Sequence, residues 1–203
     1  MILPITAYGH PILRQKTTEA ENTPETRQLI LDMKDTLANT KTGIGLASNQ
    51  VGSDKSIFLS RVGRDIMVHI NATIIKRRGK QTAPFEEGCL SIVGVYENVP
   101  ERDDIIEIIS YDENFNKRRI KLKGIDSRVY QHELEHNLGI LFIDHLTADG
   151  RERIKEQLLE IEKGKIQVHY DMIFSPQAEP QEERGEDYDE NTGRGYDGKG
   201  EEV

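Results

Sequence analysis

The feature that most constrains this chain is a His-Glu-x-x-His pattern at residues 132–136, in a stretch typical of a short helix. On a helix, residues four apart lie nearly above one another, so the imidazoles of His132 and His136 can converge on one metal ion, with Glu133 on the adjacent flank. A solvated, charged helix face is the alternative. The apolar neighbours favour a helix inside a core: Val129, Leu134, Leu138 and Ile140. The pattern therefore indicates a metal-assisted hydrolase.

Two histidines leave a metal site one ligand short, and the sequence offers more than one candidate for the third. One class of zinc proteases places a third His six residues after the second, but Phe142 occupies that position here. Another class uses a downstream Glu, which keeps three residues of the next predicted helix open: Glu152, Glu156 and Glu160. The single cysteine, Cys89, could instead complete a site of one thiolate and two imidazoles with one open position. By itself, a lone cysteine is more often a small buried hydrophobic residue.

Charge and cysteine content narrow the class of protein further. With 203 residues and a net charge of −9, the chain has the size of one ordinary domain and no basic surface for nucleic acid. One cysteine excludes an intramolecular disulfide and fits a reducing compartment. The first residues carry no signal-peptide pattern, and no apolar run is long enough to span a bilayer. We therefore expect a cytoplasmic protein without membrane association.

The periodicity of apolar residues predicts the elements around this motif. A helix is predicted for residues 24–39, with Thr23 as its N-cap, and the motif helix is predicted to end at Gly139. A strand-like segment is expected at 140–143 and a last helix at 151–162. Residues 166–174 could form a final strand or a docking segment. Four strands and one hairpin turn complete the prediction: 57–62, 67–75, 105–111 and 119–122, with the turn at 112–116.

The composition changes near the C-terminus. Residues 175–203 contain ten acidic residues against three basic ones and show no apolar periodicity. Such a segment cannot bury enough apolar surface to offset the entropy lost on ordering. We therefore expect a catalytic domain at residues 1–174 and an acidic, disordered tail at 175–203.

Three stretches, in this order, resemble the motifs of the peptide deformylase family. They are Gly-Ile-Gly-Leu-Ala-Ser-Asn-Gln at 43–50, Glu-Glu-Gly-Cys-Leu-Ser at 86–91 and Gln-His-Glu-Leu-Glu-His at 131–136. A fourth match lies at 9–14, and the resemblance covers about residues 1–163. It implies an α+β fold in which mixed, mostly antiparallel sheets wrap around a central metal-bearing helix, with a C-terminal helix. It also implies removal of the N-formyl group from the N-terminal methionine of nascent polypeptides, with release of formate.

The resemblance implies a metal centre and a catalytic carboxylate by position. Cys89, His132 and His136 are the implied ligands of one divalent metal per chain. Fe²⁺ is the implied native ion, although thiolate and imidazole ligands also accept Zn²⁺, Ni²⁺ or Co²⁺. Glu133 is the implied acid/base, which takes a proton from water and returns it to the leaving amine.

The remaining roles concern the substrate. The resemblance implies that Gln50 and the backbone N–H of Leu90 stabilise the oxyanion. It implies that the peptide is held as an added strand and that its methionine side chain enters a pocket, through four residues: Ile44, Gly45, Gly88 and Val129. The implied partners are N-formylmethionyl peptides and nascent chains, with a transient ribosome contact as an open point, and we expect a monomer. An acidic tail would be repelled by ribosomal RNA, so we expect it to add no ribosome affinity.

Several positions depart from the family pattern. Glu135 and Asn137 stand where the family usually has Asp and Leu, which predicts altered hydrogen bonding around the ligands. Val93 replaces a usual proline, Tyr96 stands where many members have an arginine, and Arg102 comes one residue later than the pattern expects. We expect these changes to affect peptide preference rather than the reaction. Two other interpretations stay open at this point: a zinc peptidase with a glutamate as third ligand, and a catalytically silent protein that binds formyl peptides.

Overall fold

The structure is a computed structural model that describes residues 1–62, 65–83 and 85–175. Its three α-helices are α1 (Pro24–Asn39), α2 (Ile125–Asn137) and α3 (Ala148–Glu162). Short 3₁₀ helices lie at Pro11–Arg14, Ser48–Val51 and Phe142–His145. The strands of the described part are β1 (Ile5–Thr6), β2 (Gly45–Ala47), β3 (Ile57–Val62), β4 (Asp65–Gln81), β5 (Phe85–Cys89), β6 (Ile92–Val99), β7 (Arg102–Tyr111), β8 (Lys117–Lys123) and β9 (Met172–Ile173).

Helix α1 begins and packs as the sequence predicts. The hydroxyl of Thr23 accepts a hydrogen bond from the backbone N–H of Thr26 (3.2 Å), and Pro24 occupies the first turn, where no N–H is needed. Three apolar residues along one face are fully buried: Ile30, Met33 and Leu37. The prediction of a core-packing helix at 24–39 is confirmed.

The strands form three sheets in the described part of the chain. The largest has the order β2-β3-β4-β7-β8, and every neighbouring pair in it is antiparallel. Strands β5 and β6 form an antiparallel pair, whereas β1 and β9 pair in parallel. The four strands predicted from periodicity are confirmed, and β4 extends beyond the predicted segment at both ends. The predicted turn is confirmed by the hydrogen bond from the N–H of Asp112 to the carbonyl of Asn116 (3.0 Å).

Helix α2 lies at the centre of this arrangement, against β2, β3, β7 and β8. Its Tyr130 packs edge-to-face on Phe58 and on His69, with ring centroids 4.8 and 5.0 Å apart. The helix ends just before Gly139, whose φ of 74° is a conformation that favours glycine. An α+β fold of mostly antiparallel sheets around a central helix, followed by the C-terminal helix α3, is therefore confirmed.

One predicted strand is wrong. Residues 140–143 were expected to be strand-like, but Phe142–His145 is a 3₁₀ helix. The carboxylate of Asp144 accepts a hydrogen bond from the N–H of Leu141 (2.9 Å), which closes a local turn instead of a ladder. The apolar residues of this segment are all buried in one core cluster: Leu141, Phe142 and Ile143. Burial without regular alternation does not distinguish a strand from a turn.

Two further differences concern segments that matter for the site. Neither β5, which ends at Cys89, nor its partner β6 was predicted as a strand. Residues 166–174 form only the short strand β9, which joins the chain's C-terminal part to β1. The division into a domain at 1–174 and a tail at 175–203 stays a prediction, because residues 176–203 lie outside the described residues. No helix in the described ranges has the length and apolar character needed to cross a membrane.

Candidate active site

Three side chains converge where β5 meets α2. Cys89 ends β5, while His132 and His136 occupy successive turns of α2, and their ligand atoms all lie within 4.8 Å of one another. The Sγ of Cys89 lies 3.3 Å from Nε2 of His136. This is the one group of metal-type ligands that the described residues bring together. The alternative third ligands are exposed on α3 and do not belong to this group: Glu152, Glu156 and Glu160.

The spacing of Cys89 and His136 fits two ligands of one metal ion. Metal–nitrogen and metal–sulfur bonds of about 2.0–2.3 Å place tetrahedral ligand atoms roughly 3.3–3.7 Å apart. The separation of Cys89 Sγ and His136 Nε2 lies at that distance. One thiol and two imidazoles are also a donor set that divalent transition metals accept. The group can therefore hold one ion and leave a position open for a reactant.

Glu87 fixes the first histidine. Its Oε2 lies 2.9 Å from Nδ1 of His132, so Nε2 of the same ring is left for the metal position. Arg102 donates two hydrogen bonds to the Glu87 carboxylate (2.6 and 2.8 Å), and Arg128 donates a third (2.6 Å). Burial alone would raise the pKa of Glu87, but the hydrogen bonds from His132 and Arg102 hold that pKa well below its usual range. Glu87 therefore stays charged as it orients the imidazole.

Glu133 points into the site from the flank of α2. Its side chain is buried, and its Oε2 has no hydrogen-bond partner among the described residues. Burial raises the pKa of Glu133 to about 7. A Cβ at position 45 would overlap the Glu133 carboxylate, so the backbone of Gly45 and this carboxylate can approach only because the residue is glycine. A buried carboxylate with a free oxygen is placed to exchange protons with a reactant.

Gln50 reaches the same centre from the opposite side. It lies in the 3₁₀ helix Ser48–Val51, which Asn49 ties to α2 by donating to the carbonyl of His136 (2.6 Å). Oε1 of Gln50 accepts a hydrogen bond from the N–H of Ala47 (2.8 Å), and this bond aims the Gln50 NH₂ group at the site. Nε2 lies 3.3 Å from Cys89 Sγ and 3.2 Å from Ser91 Oγ. The side chain is thus oriented as a hydrogen-bond donor.

A cavity of about 560 Å³ opens over these groups. Of the residues predicted for the site, nine line it: Ile44, Gly45, Gln50, Gly88, Cys89, Leu90, Val129, His132 and Glu133. The tenth, His136, lies deeper, with 1% of its surface exposed. The structure therefore brings all the predicted residues to one place, although their roles stay predictions.

Two of the positions that depart from the family pattern, Val93 and Tyr96, line the cavity. Tyr96 is 63% exposed and packs its ring over Gly88, where a Cβ would collide with it. Glu135 points away from the ligands, and its Oε2 accepts from Arg102 (2.8 Å) and lies 2.9 Å from Nε2 of His145. Arg102 therefore links the carboxylate of Glu135 with that of Glu87. That this bonding differs from the usual pattern of the family stays a prediction.

Sequence reasoning missed three residues of this region. Glu87 precedes the Gly-Cys pair, and a charged residue at that point was a usable signal. Arg128 is 2% exposed and lies one turn before His132, so an arginine on a helix that is predicted to lie inside a core was a second signal. Tyr170 lines the cavity, and its hydroxyl donates to the carbonyl of Leu90 (2.8 Å). No pattern in the sequence points to Tyr170, because 80 residues separate it from Leu90.

Comparison with known proteins identifies the family. A family profile described as polypeptide deformylase matches residues 2–152. The chain is 40% identical to the peptide deformylase of Christiangramia forsetii over 86% of this chain and 96% of that protein. It is 37% identical to the peptide deformylase of Flavobacterium psychrophilum over 87% and 98%, respectively. The crystal structure of peptide deformylase from Thermus thermophilus superposes with a TM-score of 0.74 at 33% identity, covering 81% of this chain and 100% of that one. The chain belongs to the polypeptide deformylase family.

Proposed function

We propose that this protein is a peptide deformylase, a metal-dependent hydrolase that removes the N-formyl group from the N-terminal methionine of nascent polypeptides and releases formate. The observation that carries the proposal is the convergence of Cys89, His132 and His136 beside the free carboxylate oxygen of Glu133, on the wall of a cavity. Family membership supports the same reaction.

The substrate binds along an open strand edge in this proposal. In the described part of the chain, β2 is one of the two edge strands of the five-stranded sheet, and its Gly45 lines the cavity. An extended peptide can add to such an edge through main-chain hydrogen bonds. Gly88, on β5, borders the cavity as well and gives the chain a second strand to lie against.

The methionine side chain enters the apolar part of the cavity. Val129 and Ile44 line this part and provide aliphatic surface for a thioether chain. Ile44 is 49% exposed, so a bound methionine would remove its side chain from water. Burial of this kind selects a long apolar side chain next to the formyl group.

Glu133 performs the proton transfers. A divalent metal held by Cys89, His132 and His136 supplies Lewis acidity that makes water easier to deprotonate at neutral pH. Glu133 accepts the proton of the attacking water and then returns it to the leaving α-amine, so formate and a free amino terminus result. The elevated pKa that burial gives Glu133 suits a group that must both take and return a proton.

Gln50 and Leu90 stabilise the charge on the formyl oxygen. Gln50 offers a neutral donor, fixed by the hydrogen bond from Ala47 to its own carbonyl oxygen. Leu90 follows Cys89 directly in the chain and lines the same cavity, and its backbone N–H is the second donor in this proposal. Two fixed donors at a developing oxyanion are worth more in a water-poor site than in bulk water.

We further propose Fe²⁺ as the native metal of a cytoplasmic, monomeric enzyme. The Cys-His-His donor set supports a transition metal and also accepts Zn²⁺, Ni²⁺ or Co²⁺. A single cysteine supports a reducing compartment. In this proposal the enzyme meets its substrates as nascent chains and contacts the ribosome only transiently.

The test is a formate-release assay with formyl-Met peptides beside the same peptides without the formyl group. We expect formate from the formylated series only, and no cleavage of internal peptide bonds. Binding of formyl peptides without formate release would instead identify a silent binding protein. Cleavage of the unformylated peptides would indicate a peptidase.

A further inference from the structure

The turn at residues 89–91 has to position two neighbouring residues for two different roles. It places the thiol of Cys89 at the metal position and, one residue later, brings Leu90 to the wall of the cavity, where its N–H is the proposed oxyanion donor. The ladder of β5 and β6 shifts register next to this turn: Gly88 pairs with Tyr96, but Cys89 pairs with Ile92. Leu90 lies in the turn between Cys89 and Ile92, outside both strands, so no strand pairing fixes it.

Hydrogen bonds from other elements hold the turn instead. The N–H of Tyr8 donates to the carbonyl of Ser91 (2.8 Å), and Gln50 donates to the Ser91 hydroxyl (3.2 Å). The hydroxyl of Tyr170 donates to the carbonyl of Leu90 (2.8 Å). Of these three hydrogen bonds, the one from Tyr170 is made to Leu90 itself, and it comes from a residue that follows α3.

The segment that carries Tyr170 is fastened beside the site. Tyr170 lies between α3 and β9, two residues before β9 begins, and β9 pairs with β1. The N–H of Ile5 donates to the carbonyl of Asp171, and the N–H of Ala7 donates to that of Ile173, both at 2.8 Å. Residues 167–170 line the cavity as a wall. The position of the Tyr170 hydroxyl is therefore set by backbone pairing rather than by a free loop.

We propose that Tyr170 is a positioning residue for deformylation, which holds the Leu90 peptide so that its N–H stays aimed at the formyl oxygen. The N–H and the carbonyl of Leu90 lie on two peptide planes that share one Cα. With Cys89 held at the metal position, the Leu90 N–H can still turn with the peptide plane that joins Cys89 to Leu90. Anchoring the Leu90 carbonyl restricts that rotation, and so the direction of the N–H. An oxyanion donor acts mainly in the transition state, so its loss lowers kcat more than it raises KM. The inference rests on the proposed function of the site.

The experiment compares Tyr170→Phe with the wild type and with Tyr111→Phe. The Tyr170 variant loses one hydroxyl and keeps its ring, whereas Tyr111, on β7, lies outside the cavity lining and serves as a matched control. With a formyl-Met peptide we expect kcat to fall about 10-fold in Tyr170→Phe, with KM within about 2-fold, since part of one oxyanion donor is lost. The Tyr111 variant should keep both constants within about 2-fold of the wild type.

A second readout does not depend on turnover. Amide hydrogen exchange of the segment 85–92, followed by mass spectrometry in the resting protein, should be faster in Tyr170→Phe and unchanged in Tyr111→Phe. Metal content should be equal in all three proteins. Unchanged kcat and unchanged exchange in Tyr170→Phe would overturn the inference. An effect on KM alone would also overturn it, because Tyr170 would then only contact the substrate. A loss of metal from this variant would overturn it as well. A wild type that releases no formate would overturn the proposed function instead, and the exchange data would still test the contact.

Discussion

Oε2 of Glu87 and Nδ1 of His132 lie 2.9 Å apart, both in side chains that are at least nine-tenths buried. This contact decides which nitrogen of the imidazole faces Cys89. It also joins the metal position to the arginines on β7 and α2, because Arg102 and Arg128 donate to the same carboxylate. The orientation of one ligand therefore depends on a buried charge cluster, of which Glu87 and Arg128 also line the cavity.

Replacing Glu87 should weaken metal binding. Glu87→Gln keeps the shape but removes the charge that orients His132, and losses of this kind cost about 10–100-fold in metal affinity. Competition with a chelator measures the affinity, and circular dichroism checks that the variant is folded. Glu86→Gln is the matched control, because Glu86 is the exposed neighbour on the same strand. Equal affinities in the two variants would remove Glu87 from the account of the metal centre.

Replacing Glu133 should separate metal binding from catalysis. Glu133→Ala keeps all three ligands but lacks the group that moves the proton, so formate release should fall by at least ~10²-fold with metal content unchanged. Glu160→Ala is the control, since Glu160 is exposed on α3. It also tests the glutamate alternative for the third ligand: loss of metal in this variant would revive that alternative. Near-full turnover by Glu133→Ala would end the proposed mechanism.

Iron in this site should make the enzyme sensitive to oxygen. A thiolate ligand and an open coordination position expose both the ion and Cys89 to oxidation. Iron-loaded protein should lose formate release during aeration, while the zinc-loaded or nickel-loaded protein should keep its starting activity, because Zn²⁺ and Ni²⁺ are not oxidised under these conditions. The measurement is a time course of activity in air and under argon. If the iron form is as durable in air as under argon, Fe²⁺ as the labile native metal has to be given up.

The sequence predicts the parts of this site that have local signals. His132, Glu133 and His136 follow from helical spacing, and helix α1 follows from its cap and apolar stripe. The assignment of Cys89 needed the resemblance, because spacing alone left the glutamates of α3 open. The Tyr170–Leu90 bond had no local signal, since a contact across 80 residues depends on how β9 docks on β1. The wrong strand at 140–143 shows the same limit: apolar content predicts burial there but not backbone conformation.

A buried histidine far from the metal should make stability depend on pH. His69 lies between Phe58 and Tyr130, and burial, followed by the charge of Arg118, lowers its pKa to about 3. Its hydrogen-bond neighbours are Ser60, Ser110 and Arg118 itself. In the unfolded chain this imidazole binds a proton below a pKa of about 6.5, whereas in the folded chain it stays neutral down to a pH near 3. The free energy of unfolding therefore decreases as the pH drops below about 6.5, by up to about 1.4 kcal/mol per pH unit for this one group.

The measurement is the free energy of unfolding in urea between pH 7 and pH 4. His69→Gln should show a shallower decrease toward acid than the wild type, by about the slope of one proton. His169→Gln, at an exposed histidine, should follow the wild-type curve. Parallel curves for wild type and His69→Gln would show that His69 is protonated in the folded state, contrary to its buried setting.

The last prediction concerns where the chain can be shortened. A chain ending at Phe174 keeps β9 and Tyr170, so formyl-Met turnover and the melting temperature should match those of the full-length protein. A chain ending at Lys165 loses the pairing with β1 and three residues that pack on the core clusters: Ile166, Met172 and Phe174. Losing these contacts should lower the melting temperature by about 5–10 °C, at about 2–4 °C per kcal/mol for a chain of this size.

Ribosome binding tests whether the acidic segment adds affinity for the ribosome. Residues 175–203 carry ten acidic and three basic residues, and a net negative segment is repelled by ribosomal RNA. Co-sedimentation with ribosomes at low salt should therefore be no stronger for the full-length protein than for the chain ending at Phe174. Weaker binding by the shortened chain would show that the acidic segment has a protein partner on the ribosome, since attraction to RNA cannot account for it.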